Sequence, residues 1–125
     1  MSLPSGKPPS VYYRAFTRDQ YKCVYCERDI LESFDTFSAS HLDHLKPRRF
    51  GGSDDDVLNR VTACGVCNHI KGAFDPSPDG PVTAESFDRA VGVARAHVWK
   101  KRKGEIPCSY VRDYQYWLKE AGRHG

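Results

Sequence analysis

Apolar residues recur at helical spacing in three stretches of the chain. Val11, Ala15 and Phe16 turn inward from a short helix over residues 11–18, with Ser10 placed to cap it. Phe87, Ala90, Val91, Ala94 and Val98 share one face of a second helix, which Thr83 can cap. Tyr110, Tyr114, Trp117, Leu118 and Ala121 form the apolar side of a last helix that Ser109 can cap. The middle of the chain reads differently. Residues 37–43 alternate weakly and predict a strand ending near His44, and residues 57–63 predict a second. Pro47, Gly51 and Gly52 force a loop between them, followed by the acidic run Asp54, Asp55 and Asp56. A helix follows from about residue 64 to 74, then a breaker-rich turn over 75–81. Residues 1–10, with three prolines and three serines, predict a mobile tail. The expected organisation is therefore strand–loop–strand–helix over residues 11–75, with a helical extension over 76–125 packed on it in the same domain.

The chain has 125 residues, 39% hydrophobic and 28% charged, which is the composition of one small globular domain. No apolar run approaches the roughly 18 residues a bilayer span needs, and no apolar leader is expected near Met1. Nineteen basic residues against sixteen acidic ones give a net charge of only +3. That balance permits nucleic-acid binding without requiring it, so the placement of charge matters more than the sum.

Cysteine spacing is more specific. Cys23 and Cys26 form one Cys-x-x-Cys pair, Cys64 and Cys67 a second, and Cys108 stands alone. An odd count argues against a secreted disulfide framework. A two-residue gap lets both thiolates of a pair face one centre, and two pairs complete a tetrahedral structural zinc site. A redox motif would not need to occur twice.

Inside the zinc frame lies a second constellation. Asp43 and His44 end the first predicted strand, Asn59 lies in the second, and Asn68 directly follows Cys67. A carboxylate and a carboxamide are hard oxygen ligands suited to Mg²⁺ or Mn²⁺. A neutral imidazole opposite them can take a proton from water attacking a phosphodiester. Asn59 can satisfy backbone groups across a loop. His41 shares a strand face with Asp43, though a plain surface histidine is as good a reading. His69, His97 and His124 read as solvated, and Cys108 as a small buried hydrophobe.

Asp43-His44-Leu45-Lys46-Pro47, the Gly51-Gly52 pair, and Asn59 through Cys64, Cys67, Asn68, Lys71 and Gly72 resemble an HNH endonuclease of the kind with a four-cysteine zinc site. Arg18-Asp19 and the first cysteine pair are similar to the segment that precedes that motif, so the resemblance runs over residues 11–72. It implies an α+β fold with a ββα-metal core. His44 is implied as general base, Asp43 and Asn68 as ligands of the catalytic metal, and Asn59 as the residue fixing the loop that bears His44. It further implies hydrolysis of DNA to 5′-phosphate and 3′-hydroxyl ends, and a cytoplasmic protein of bacterial or phage origin.

Charge placement adds candidate DNA contacts. Lys46, Arg48 and Arg49 follow the base within five residues, and Lys71 lies one helical turn after Asn68. Lys100, Lys101, Arg102 and Lys103 make a sharper cluster, suited to salt-sensitive backbone binding. One core makes one cut, so nicking by a monomer or weak dimer is the expectation. A zinc-ribbon binding module without catalysis also explains the cysteines and the basic residues, but leaves Asp43, His44, Asn59 and Asn68 without a purpose. A protein-docking zinc module, using the aromatic last helix, does no better.

Overall fold

The computed structural model describes residues 10–123. The expected tail falls almost wholly on residues 1–9, outside the described residues, as does His124.

Helix α1 spans Val11–Arg18 and begins as its cap predicts, with Ser10 Oγ accepting from the Tyr13 amide at 3.4 Å. Its C-terminal Arg18 is built into the hairpin. The guanidinium donates to the carbonyls of Val57 and Arg60 at 2.6 and 2.7 Å, while Asp19 accepts the Thr62 amide at 2.8 Å. The first cysteine pair then forms a tight knuckle: the Glu27 amide returns to the Cys23 carbonyl at 2.8 Å, and Glu27 takes a left-handed φ of 65°.

One expectation needs correcting here. Residues 37–39 belong not to a strand but to helix α2, Phe34–Ala39. Ser33 caps it, its Oγ 3.0 Å from the Thr36 amide, and Asp35 sits in the first turn where the helix dipole favours a carboxylate. Weak alternation alone could not outweigh that signal. Strand β1 is accordingly short, His41–His44, and pairs antiparallel with β2, Arg60–Ala63. Asp43 faces Val61 in the register and His44 faces Arg60. Residues 57–59 form a 3₁₀ turn before β2, capped by the Asp56 carboxylate on the Leu58 amide at 2.9 Å.

Helix α3, Gly65–Lys71, follows β2 at once. Cys64 caps it, with its sulfur 3.4 Å from the Cys67 amide, so one side chain serves both helix start and thiol cluster. Helix α4, Phe87–Arg102, buries Ala90, Val91, Ala94 and Val98, the face read from the sequence. The expected Thr83 cap instead joins a reciprocal turn with Ser86, and the helix starts after it. Helix α4 also clasps the knuckle: Arg95 donates to the Val24 carbonyl at 2.6 and 2.8 Å, and Trp99 Nε1 to the Tyr25 carbonyl at 2.9 Å. The core runs from the cysteines through Tyr25, Leu45, Val61 and Ile70 to this face of α4.

Helix α5, Ser109–Glu120, departs from expectation. None of its residues is fully buried, and Tyr114 and Trp117 are 62% and 65% exposed. Helical spacing of aromatic residues shows that they share a face, not that anything covers it. Among the described residues no helix is long and apolar enough to cross a membrane.

Candidate active site

The loop between β1 and β2 is shaped by Asn59. Its side chain is buried and fully satisfied: Oδ1 accepts the Lys46 amide at 2.8 Å, and Nδ2 donates to the carbonyls of Lys46 and Ser53, both at 3.0 Å. The carboxamide thus ties both ends of the loop that follows His44. Gly52 is required beneath it, because a Cβ there would lie 1.7 Å from the Lys46 carbonyl oxygen and 2.8 Å from Asn59 Nδ2. Backbone cannot yield that much without breaking the staple. Gly52→Ala is therefore expected to destabilise the fold by about 2–4 kcal/mol, read as a lower urea midpoint, whereas Gly51→Ala meets only its left-handed φ of 91° and no neighbour.

Asp43 and His44 line one open cleft with Pro47, Arg48, Arg49, Gly72 and Ala73. The Asp43 carboxylate is mostly buried, and its Oδ2 accepts the Tyr25 hydroxyl at 2.5 Å. Burial, then the neighbouring carboxylate, push the Tyr25 phenol well above its usual range, so it remains a donor. Lys71 Nζ lies 3.2 Å from the same oxygen and 3.0 Å from the His44 carbonyl. Asp43 Oδ1 has no hydrogen-bond partner among the described residues, and neither has the Asn68 carboxamide, one turn before Gly72 on α3. Both are hard oxygen donors of the kind Mg²⁺ or Mn²⁺ takes, although Asn68 is not among the residues that line the cleft with Asp43.

His44 is held from the other side. Its Nε2 meets Asp54 Oδ1 at 2.7 Å, and Arg48 Nε approaches the same oxygen at 2.5 Å. The Arg48 guanidinium, then His44, hold the Asp54 carboxyl below its ordinary value. A carboxylate can only accept, so Nε2 is the donor here, and in a neutral imidazole the lone pair then belongs to Nδ1.

The four cysteines converge as their spacing predicts. The sulfurs of Cys23, Cys26, Cys64 and Cys67 all lie within 4.8 Å of one another, with Cys26 and Cys64 at 3.7 Å. Zn–S bonds of ~2.3 Å place the sulfurs of a tetrahedral site ~3.8 Å apart, so the cluster fits that ion. Neighbouring thiols hold Cys64 well below the usual thiol range and Cys26 at about 6, while Cys23 and Cys67 are pushed up. Cys108 lies outside the cluster and packs against the core.

Several basic residues stand elsewhere than expected. Lys46 is buried, its Nζ bound to Asp75 at 2.8 Å and the Ser77 carbonyl at 2.6 Å. Lys71 is buried as described, so neither ammonium faces solvent. Lys101 donates to the Ile70 carbonyl at 2.9 Å; Arg102 lies over the Trp99 ring and 3.7 Å from the Cys67 sulfur. Arg48 and Arg49 are exposed on the cleft rim, and Lys100 and Lys103 are exposed at the end of α4. His69 is exposed and packs on Tyr110 at 4.0 Å, and His97 is half-buried, stacked on Phe74 at 3.8 Å. Tyr25 and Asp54 are the two site residues that sequence reasoning did not single out. Both had signals: a bulky aromatic inside a cysteine pair, and an acidic run one loop away from a histidine.

A hairpin that delivers an aspartate and a histidine to one cleft, backed by a helix pinned through cysteines, is the ββα-metal arrangement. Comparison with known proteins agrees. The family model described as HNH endonuclease matches residues 23–74, so that segment of the chain is of the HNH endonuclease type. It is also 38% identical over 94 residues to the CRISPR-associated endonuclease Cas9 of Corynebacterium diphtheriae. That alignment covers 67% of this chain but 8% of the Cas9 protein. No solved structure gives a significant match.

Proposed function

We propose that the chain is a metal-dependent endonuclease that hydrolyses DNA phosphodiester bonds to 5′-phosphate and 3′-hydroxyl ends, one strand per encounter. The observation that carries this reading is the shared cleft: Asp43 and His44 line it together, with two exposed arginines on its rim.

His44, with Nε2 satisfied by Asp54, uses Nδ1 to take the proton of the attacking water. Asp43, through Oδ1, and Asn68 would hold Mg²⁺ or Mn²⁺. When bound, that ion supplies charge stabilisation for the scissile phosphate and the leaving oxygen. Arg48 and Arg49 hold the DNA backbone without reading sequence, and Lys100 and Lys103 extend the contact along α4. Asn59 keeps the His44 loop in register. Cys23, Cys26, Cys64 and Cys67 hold structural zinc, which fixes the start of α3 and with it Asn68. One cleft lined by Asp43 and His44 among the described residues supports one cut per encounter, and so nicking.

The test uses zinc-loaded protein and an end-labelled duplex, with and without Mg²⁺ or Mn²⁺. Cleavage is expected only with the added ion, giving nicks that DNA ligase reseals, since ligase requires a 5′-phosphate beside a 3′-hydroxyl. Cleavage that persists after chelation of Mg²⁺ and Mn²⁺, with zinc retained, contradicts the metal assignment. Folded protein that binds the duplex without cutting it favours the binding-module reading instead.

A further inference from the structure

Lys71 is the most deeply buried cation of the site, 1% exposed as a residue, with none of its side chain reaching solvent. Its ammonium meets a neutral acceptor, the His44 carbonyl at 3.0 Å, and one anion, Asp43 Oδ2 at 3.2 Å. Tyr25 caps the same carboxylate oxygen at 2.5 Å. The free carboxylate oxygen at the cleft therefore belongs to a group whose charge is already compensated from behind.

From this we propose that Lys71 is a built-in counter-cation, which neutralises Asp43 in the DNA-free protein and keeps its affinity for the divalent ion low until a DNA phosphate arrives. The inference rests on the reading of Asp43 as a metal ligand. A dication approaching Oδ1 from the open cleft is attracted by one carboxylate and repelled by an ammonium buried on that carboxylate's other oxygen. A phosphate in the cleft adds both negative charge and a further oxygen ligand. Ion and substrate then bind with positive coupling, and each raises the other's affinity by the same factor. Lys71 acts through Asp43 and is a positioning residue.

The experiment measures Mn²⁺ binding to zinc-loaded, DNA-free protein by the loss of the free-Mn²⁺ electron paramagnetic resonance signal. Lys71→Met is expected to bind Mn²⁺ about tenfold or more tightly than the wild type. Equal or weaker binding, with zinc content and melting temperature retained, overturns the proposal. Should the Met variant not fold, Lys71→Gln keeps a donor for the His44 carbonyl without the charge, and the same tightening is expected. A measurement that leaves Lys71 intact is also decisive: in a His44→Ala background, a short duplex should tighten Mn²⁺ at least about tenfold, and equal affinity with and without duplex overturns the idea. Adding Asp43→Asn to Lys71→Met must abolish the tightened site. If it does not, Asp43 is not the ligand and the metal assignment itself falls; if only the Lys71 variants fail to tighten binding, that assignment stands.

Discussion

Stripping the zinc, or replacing Cys64 with serine, is expected to unfold the chain. Cys23, Cys64 and Cys67 are core residues, and the first knuckle reaches β2 through a hydrogen bond from the Val24 amide to the Thr62 carbonyl at 3.0 Å. Structural zinc binding contributes roughly 10–16 kcal/mol in small zinc domains, against a net stability of roughly 5–15 kcal/mol for a whole domain. Without the ion, four clustered thiols must either bury protons or crowd negative charge. The measurement is far-ultraviolet circular dichroism with zinc release followed by a chromogenic chelator. Helical signal and the cooperative melt should vanish together as zinc leaves. The acid side follows: protons compete for thiolates, so zinc affinity falls as pH falls. Cys108→Ser is the control, since that thiol lies outside the cluster, and should leave zinc content unchanged.

Replacing His44 with alanine is expected to lower the cleavage rate by about 10²–10⁴, the usual contribution of a positioned general base. The imidazole is about one-fifth exposed and makes its side-chain bond to Asp54, itself half exposed. Removing it therefore opens no core cavity, and melting temperature and zinc content should hold. Duplex binding should also hold, because the backbone contacts assigned to Arg48 and Arg49 remain. A variant that loses binding in step with turnover would make His44 a contact residue rather than the base.

The parts of this account legible in the sequence are those written in local spacing. Two cysteine pairs announced the thiol cluster, and Pro47 with the Gly51-Gly52 pair announced the loop between short strands. The face of α4 followed from its period alone. What was not legible depends on which group meets which across the fold. A lysine beside a histidine reads as a phosphate contact until Asp75 is seen folded back to receive Lys46. Lys71 carries the same charge in a sequence whether it points to water or to Asp43. Tyr25 touches Asp43 across 18 residues of chain, and Asp54 reaches His44 across 10, separations at which periodicity carries no information. Helix α2 was missed for a different reason: its Ser33 cap was present but is followed by one turn and a half of helix, too short to show a period.

The most direct test of the central claim is relaxation of supercoiled plasmid by zinc-loaded wild type and His44→Ala, side by side with Mg²⁺ or Mn²⁺. The account predicts open circles from the wild type and almost none from the variant at equal zinc content. Equal relaxation by both proteins, or none by a folded, zinc-loaded wild type, would contradict it.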